Sequence, residues 1–171
     1  MAYEVRRVVT GHDERGSAVV RSVDTLRSRV VAEGYEPVEV WCTARLPEDN
    51  SEDAGADGSP GERGSRALLR IGELAPGHRS PMHRSRSIDY GVVLEGECEL
   101  HLDDGSVTVV RAGDVVIQRG TNHAWHNASD APVRFAWFLV DAEAVRVGDG
   151  ELPELMPAGH DVLSDWQPNA R

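Results

Sequence analysis

From Ala67 to Val140 short, largely apolar strand-like runs alternate with turn-forming residues. The runs are Ala67 to Glu73, Ile88 to Leu94, Cys98 to Leu102, Val107 to Val110, Val115 to Gln118, Ala124 to Asn127 and Val133 to Val140. Between them lie Ala75-Pro76-Gly77, Glu95-Gly96-Glu97, Asp103-Asp104-Gly105, Arg111-Ala112-Gly113-Asp114, Arg119-Gly120 and Ser129-Asp130-Ala131-Pro132. Side chains on a strand alternate faces, so a period of two marks half-buried strands. Strands this short and closely spaced leave no room for crossover helices and predict an antiparallel sandwich or barrel over residues 67–142.

Residues 1–46 carry further β-type runs, at Val5 to Val9, Ala18 to Arg21, Arg29 to Ala32 and Val38 to Thr43. The break His12-Asp13-Glu14-Arg15-Gly16 has the composition of a hairpin connection, with a glycine available for a positive φ. Residues 47–66 hold almost no large apolar side chain and predict a mobile surface loop, because burial there cannot offset the entropy of ordering. Residues 143–171 read as a tail: a helical turn over Asp141 to Val147, then an extended segment bearing Pro153, Pro157 and Pro168 that lies over the barrel.

The net charge of −11 excludes a duplex-binding surface, which needs clustered Lys and Arg, and argues against an anionic membrane. The residues after Met1 include no apolar signal region, and no stretch is long enough to span a bilayer. Cys42 and Cys98 follow no metal or redox spacing and read as small core residues. Together these predict a cytoplasmic protein whose partner is a small molecule.

Two segments carry chemistry. The first runs from Gly77 to Gly96, with His83, Ser85 and Asp89 at even offsets and so on one face of a regular strand. The second runs from Gly113 to Asn127, where His123 and Trp125 share parity. The first resembles the cupin motif Gly, five residues, His-x-His, three or four residues, Glu, six residues, Gly. The second resembles its companion, Gly, Pro-x-Gly, two residues, His, three residues, Asn. The resemblance covers roughly residues 67–142 and implies an all-β fold: an antiparallel cupin β-barrel (a double-stranded β-helix or jelly roll) with N-terminal strands and an extended C-terminal tail. It also implies a homodimer formed by exchange of an N-terminal strand.

The departures are specific. Ser85 stands where the second His belongs, Asp89 replaces Glu, and Gln118 holds the Pro position. Cupins of this type place a metal on three His and one Glu; the matching positions here are His83, Asp89 and His123, with Ser85 in the vacated place. Two imidazoles and a carboxylate with open positions suit Fe, Zn, Ni or Mn. The same residues also suit a metal-free cluster in which Asp89 orients an imidazole for acid–base work, or an inert polar plug. Trp125 and Tyr90 flank this set as candidate walls for an apolar ligand. Arg86 and Arg119 are candidates for holding a substrate carboxylate. His101 lines the pocket if its face of the strand is the inner one, and His78 lies beside the mouth.

The function these readings favour is a small-molecule enzyme of secondary metabolism or catabolism, with metal-assisted lyase, dehydratase or isomerase chemistry in the barrel mouth. There His83, Asp89, His123 and Ser85 act on the substrate. The alternatives are an Fe(II) dioxygenase and a non-catalytic barrel that holds a metabolite.

Overall fold

A computed structural model describes residues 3–43 and 67–156. Twelve strands follow one another: β1 (Glu4–His12), β2 (Ala18–Arg27), β3 (Tyr35–Thr43), β4 (Ala67–Leu74), β5 (Ser87–Glu95), β6 (Glu97–Leu102), β7 (Val107–Arg111), β8 (Val115–Arg119), β9 (His123–His126), β10 (Val133–Asp141), β11 (Arg146–Val147) and β12 (Gly150–Glu151). Among the described residues no helix is long and apolar enough to cross a membrane. The architecture is the all-β antiparallel barrel that the short runs and their turns predict.

A five-stranded sheet ordered β3-β4-β10-β5-β8 faces a three-stranded sheet ordered β7-β6-β9. Every pairing within both is antiparallel. The segment before β5 extends the smaller sheet: His83 and His123 exchange both backbone hydrogen bonds at 2.9 Å, and Arg79 bridges His126. β4 shows the cleanest period, its buried positions Leu68, Arg70, Gly72 and Leu74 facing inward. Leu74, Val93, Cys98, Val110, Trp125, Val133 and Phe135 form the main core, drawn from both sheets. Burying them is the main stabilising term, at roughly 1.5–3 kcal/mol for each large apolar side chain.

Two backbone features let the sheets close. At Gly91 an added Cβ would lie 2.3 Å from Cζ3 of Trp137, so only glycine lets that indole lie across β5. Gly96 turns β5 into β6 at φ +79°, the left-handed region that glycine occupies without strain.

The sequence-based boundaries change at three places. β3 belongs to the main sheet through its pairing with β4, so the barrel recruits part of residues 1–46. Arg29 to Ala32 is not a strand; it meets β3 through the isolated Ala32–Tyr35 bridge and through hydrogen bonds from the Arg29 and Val31 amides to the Pro37 and Tyr35 carbonyls. Asp141 to Val147 contains no helical turn; β11 and β12 form a small hairpin there instead. β1 and β2 pair as an antiparallel hairpin through the predicted turn, and both cysteines are buried. The segment near Pro153 does lie on the barrel, as Leu155 exchanges backbone hydrogen bonds with Arg84. The loop expected over 47–66, and Pro157 and Pro168, lie outside the described residues.

Candidate functional site

A cavity of about 170 Å³ opens between the two sheets, above the core. Its walls are largely apolar and aromatic: Tyr35, Leu74, Trp125, Phe135, Trp137 and Leu139, with Met156 from the tail. Trp125, Phe135 and Trp137 pack on one another at centroid distances of 5.1–5.3 Å, a rigid wall suited to a flat apolar ligand. The polar groups that break this wall are Arg70, His78, Ser80, His83, Asp89, Gln118 and His123.

The two imidazoles are fixed by the backbone. His83 and His123 sit opposite each other in the bridge before β5, and their rings lie 4.2 Å apart. Nδ1 of His83 donates to the Pro81 carbonyl at 3.0 Å, and Nδ1 of His123 donates to the Thr121 carbonyl at 2.9 Å. Both rings therefore carry the proton on Nδ1 and leave Nε2 as the lone-pair nitrogen. A carbonyl on the far nitrogen is the support that orients metal-binding imidazoles. Burial first, and then the neighbouring His83 ring, hold His123 down to about 4, so it is neutral near pH 7.

The amide of Gln118 reaches the same point, its nitrogen donating to His123 Nε2 at 2.7 Å. Its Oε1 is buried with no hydrogen-bond partner among the described residues. An orphaned acceptor is costly, and a cation or a substrate donor would satisfy it. Gln118 enters the site through non-local pairing, since it is the cross-strand partner of Asp89.

Asp89 is buried on β5 two residues from Ser87, whose hydroxyl donates to Oδ1 at 2.6 Å. Ser85 lies 2.8 Å from Ser87; with the Ser87 proton committed to Asp89, Ser85 is the donor in that pair. Burial pushes Asp89 up to about 6, against the opposing effects of the Ser87 bond and the Arg70 charge. Arg70 itself is buried against Glu39, with Nη2 to Oε1 at 2.8 Å.

The residues singled out in the sequence divide accordingly. His83, Asp89, His123 and Trp125 line one cavity, and His78 joins them from the rim with Nδ1 2.7 Å from the Glu33 carbonyl. Ser85 does not line the cavity and touches the site through Ser87. Tyr90, Arg86 and Arg119 are exposed and outside it. They stand at odd offsets from Asp89 or its partner Gln118, so the pleat turns them to solvent. His101 also faces outward, bonding Glu99 Oε2 at 2.9 Å. Asn127 is fully buried and holds the loop to β10, donating from Nδ2 to the Leu74 and Ala131 carbonyls; its role is structural. Gln118, which the sequence marks only as holding the Pro position, and Arg70 and Ser87 are site residues that sequence reasoning missed. The available signal was parity: Arg70 shares a face with Leu68, and Ser87 with Asp89.

A divalent cation fits this donor set. The Nε2 atoms of His83 and His123 would supply two imidazoles, and the orphaned Oε1 of Gln118, on the side chain that reaches His123, is the candidate neutral oxygen. The donor atoms of His83, Asp89 and His123 do not close within 4.8 Å of one another; among the described residues only Glu99, His101 and His126 do so. Asp89 thus stands beside the imidazole pair, apart from its immediate shell.

The barrel, the facing histidines from its two motifs and the buried acid of the first define a cupin, and comparison with known proteins agrees. The Cupin_2 family description, "Cupin domain", matches residues 70–141. "Phomopsin biosynthesis cluster protein C'" of Diaporthe leptostromiformis is 37% identical over 157 residues, covering 85% of this chain and 82% of its own. "Cupin-domain-containing oxidoreductase virC" of Hypocrea virens is 31% identical over 158 residues, covering 86% and 81%. The solved structure of the polyketide cyclase RemF from Streptomyces resistomycificus superposes with a TM-score of 0.52 at 18% identity, covering 76% of this chain and 78% of that one, a likeness of fold. The chain belongs to the cupin family.

Proposed function

We propose that this cupin is a small-molecule enzyme of secondary metabolism that moves a proton on an apolar, aromatic-bearing substrate, in lyase, dehydratase or isomerase chemistry. The observation that carries the reading is a buried carboxyl, Asp89, facing an imidazole pair across an aromatic-walled cavity. The free Oδ2 of Asp89 is the atom that takes or returns the proton, because Oδ1 is committed to Ser87. A carboxyl raised to about 6 combines ionisation near neutral pH with strong basicity, the compromise general acid–base catalysis requires. Trp125, Phe135 and Trp137 hold the substrate's flat portion and exclude water, which strengthens polar interactions at the reacting end. His83, His123 and Gln118 would hold a divalent cation, whose chemistry when bound is Lewis-acid polarisation of a substrate oxygen. The names of the relatives place them in fungal biosynthesis clusters, which supports the secondary-metabolic setting.

A second reading, an oxidoreductase, is favoured by one observation: relatives such as that of Hypocrea virens carry that description. The two separate on substrate-derived hydrogen and on oxygen. Aromatic β-hydroxy ketones are incubated with the metal-loaded protein in deuterated buffer, with oxygen uptake followed in parallel. Proton transfer predicts deuterium incorporation or water loss without oxygen consumption, abolished in Asp89→Asn. Turnover that consumes oxygen and survives Asp89→Asn would replace the first reading with the second.

A further inference from the structure

Outside the cavity, the outer face of the β7-β6-β9 sheet carries a second cluster of ligand-type side chains. Glu99 and His101 lie two residues apart on β6, and His126 on β9 is the cross-strand partner of Glu99, so one face presents all three. Glu99 Oε2 lies 2.9 Å from His101 Nε2 and 2.9 Å from His126 Nδ1. The three donor atoms fall within 4.8 Å of one another. The side chains are only 17–30% exposed, held by two hydrogen-bonded strands, so little ordering remains to be done on binding.

We propose that Glu99, His101 and His126 form a divalent transition-metal site, separate from the cavity and suited to Zn²⁺. Two imidazole nitrogens and one carboxylate favour a borderline cation over Mg²⁺ or Ca²⁺, which require oxygen-rich shells. The remaining coordination positions face solvent and take water. Without the ion, the carboxylate accepts an N–H from each ring; on binding, each ring carries its proton on the other nitrogen, Nδ1 of His101 and Nε2 of His126, and offers the lone pair to the ion. Bound there, it ties β6 to β9 on the side opposite the cavity.

Arg79 opposes this site. Its Nη2 donates to His101 Nδ1 at 3.2 Å, which keeps the His101 proton on Nε2, the nitrogen the ion needs, and adds a positive charge nearby. Arg79 is exposed and swings clear at some cost, so its removal strengthens binding. This sign distinguishes the built triad from casual adsorption of metal by surface histidines.

The test uses the full chain, stripped with chelator and titrated with Zn²⁺ by calorimetry. The His83→Ala/His123→Ala background removes the imidazoles of the cavity. One saturable Zn²⁺ equivalent is expected to remain there. Adding His101→Ala or His126→Ala should weaken it at least ~100-fold, more than loss of an outer-shell partner brings. Arg79→Ala should tighten it several-fold. Zinc-edge anomalous diffraction from soaked wild-type crystals provides a reading that does not depend on the variants folding, with a peak expected between His101 and His126. Absence of saturable binding in the double-variant background, indifference to His101→Ala, or anomalous density only between His83 and His123 would each overturn the proposal.

Discussion

β9 carries two histidines three residues apart whose surroundings have almost nothing in common. His123 points into the barrel, is 3% exposed, and lies with its ring 6.3 Å from that of Trp125. His126 points outward and shares the Glu99 carboxylate with His101. Each face thus holds two imidazoles and one acid. Inside, the acid accepts from a hydroxyl and stands apart from the imidazoles, and burial raises it to about 6. Outside, hydrogen bonds from His101 and then His126 hold Glu99 below the usual carboxylate range. The same residue types give a proton-transfer acid on one face and a clamped anion on the other. Partner and solvent, set by strand parity, decide which.

The most severe way to break this comparison is to remove the inner imidazoles. His83→Ala/His123→Ala is expected to abolish the cavity's metal binding and to lower turnover by ~10³-fold or more, read by metal analysis and steady-state kinetics. Turnover within about tenfold of wild type would leave the inner face without special chemistry.

Asp89→Asn probes the next effect and separates function from stability. Turnover should fall by about 10²–10⁴-fold, as for loss of a general acid or base. Stability of the metal-free protein should move the other way. The folded carboxyl titrates near 6 and the unfolded one near 3.8, so the folded state binds the proton more tightly. That stabilisation is complete below the unfolded value and is lost as pH rises through about 6. Above it, ionised Asp89 costs on the order of 1–3 kcal/mol, which Asn removes while still accepting the Ser87 bond. Melts across this range should show Asp89→Asn more stable than wild type at about pH 8 and equal to it below about pH 4. An equal difference at both ends would mean that the gain is not electrostatic.

Much of this architecture was legible because it depends on local parity. The turn glycines and the short β-type runs between them specified strands, and even offsets joined His83 to Asp89 before any pairing was known. The same rule, applied strictly, excludes Tyr90 and Arg86, which flank the inward positions of β5 at odd offsets. β8 shows where the pattern misleads: Val115 and Ile117 are 61% and 49% exposed, while Gln118 is buried. The apolar face there is the outer one, so hydropathy alone assigns Gln118 to solvent. Its place opposite Asp89 follows only from the β5–β8 register. Arg70 was hidden similarly, because its inward charge depends on Glu39 from β3, a strand assigned to a different part of the chain.

The cavity wall supplies a smaller effect that still belongs to the inner face. In Gly91→Ala the new methyl would meet the Trp137 ring at 2.3 Å, and the indole must move. Overpacking of this kind costs about 1–3 kcal/mol and shifts the wall against which a flat substrate lies. Denaturant unfolding should show the loss, and the KM for an aromatic substrate should rise with it. A variant as stable as wild type would mean that Trp137 is free to turn without consequence.

The smallest effect is expected on the outer face. Glu99→Gln removes the charge that His101 and His126 share but keeps an oxygen able to accept from one of them. The carboxylate reaches solvent and is screened by salt, so the melting temperature without metal should change by no more than about 2 °C. The sign has a pH signature. Glu99 is lowered in the folded state, so its contribution is present above the unfolded value of 4.5 and is lost as pH falls through the folded one. The two proteins should therefore converge in acid, as the Asp89 pair does, but with the opposite sign at higher pH, where Glu99→Gln is less stable than wild type and Asp89→Asn more stable. If Glu99→Gln instead cost as much as Gly91→Ala in the absence of metal, the outer cluster would be holding β6 to β9 by itself, and the contrast between the two faces would be one of position alone.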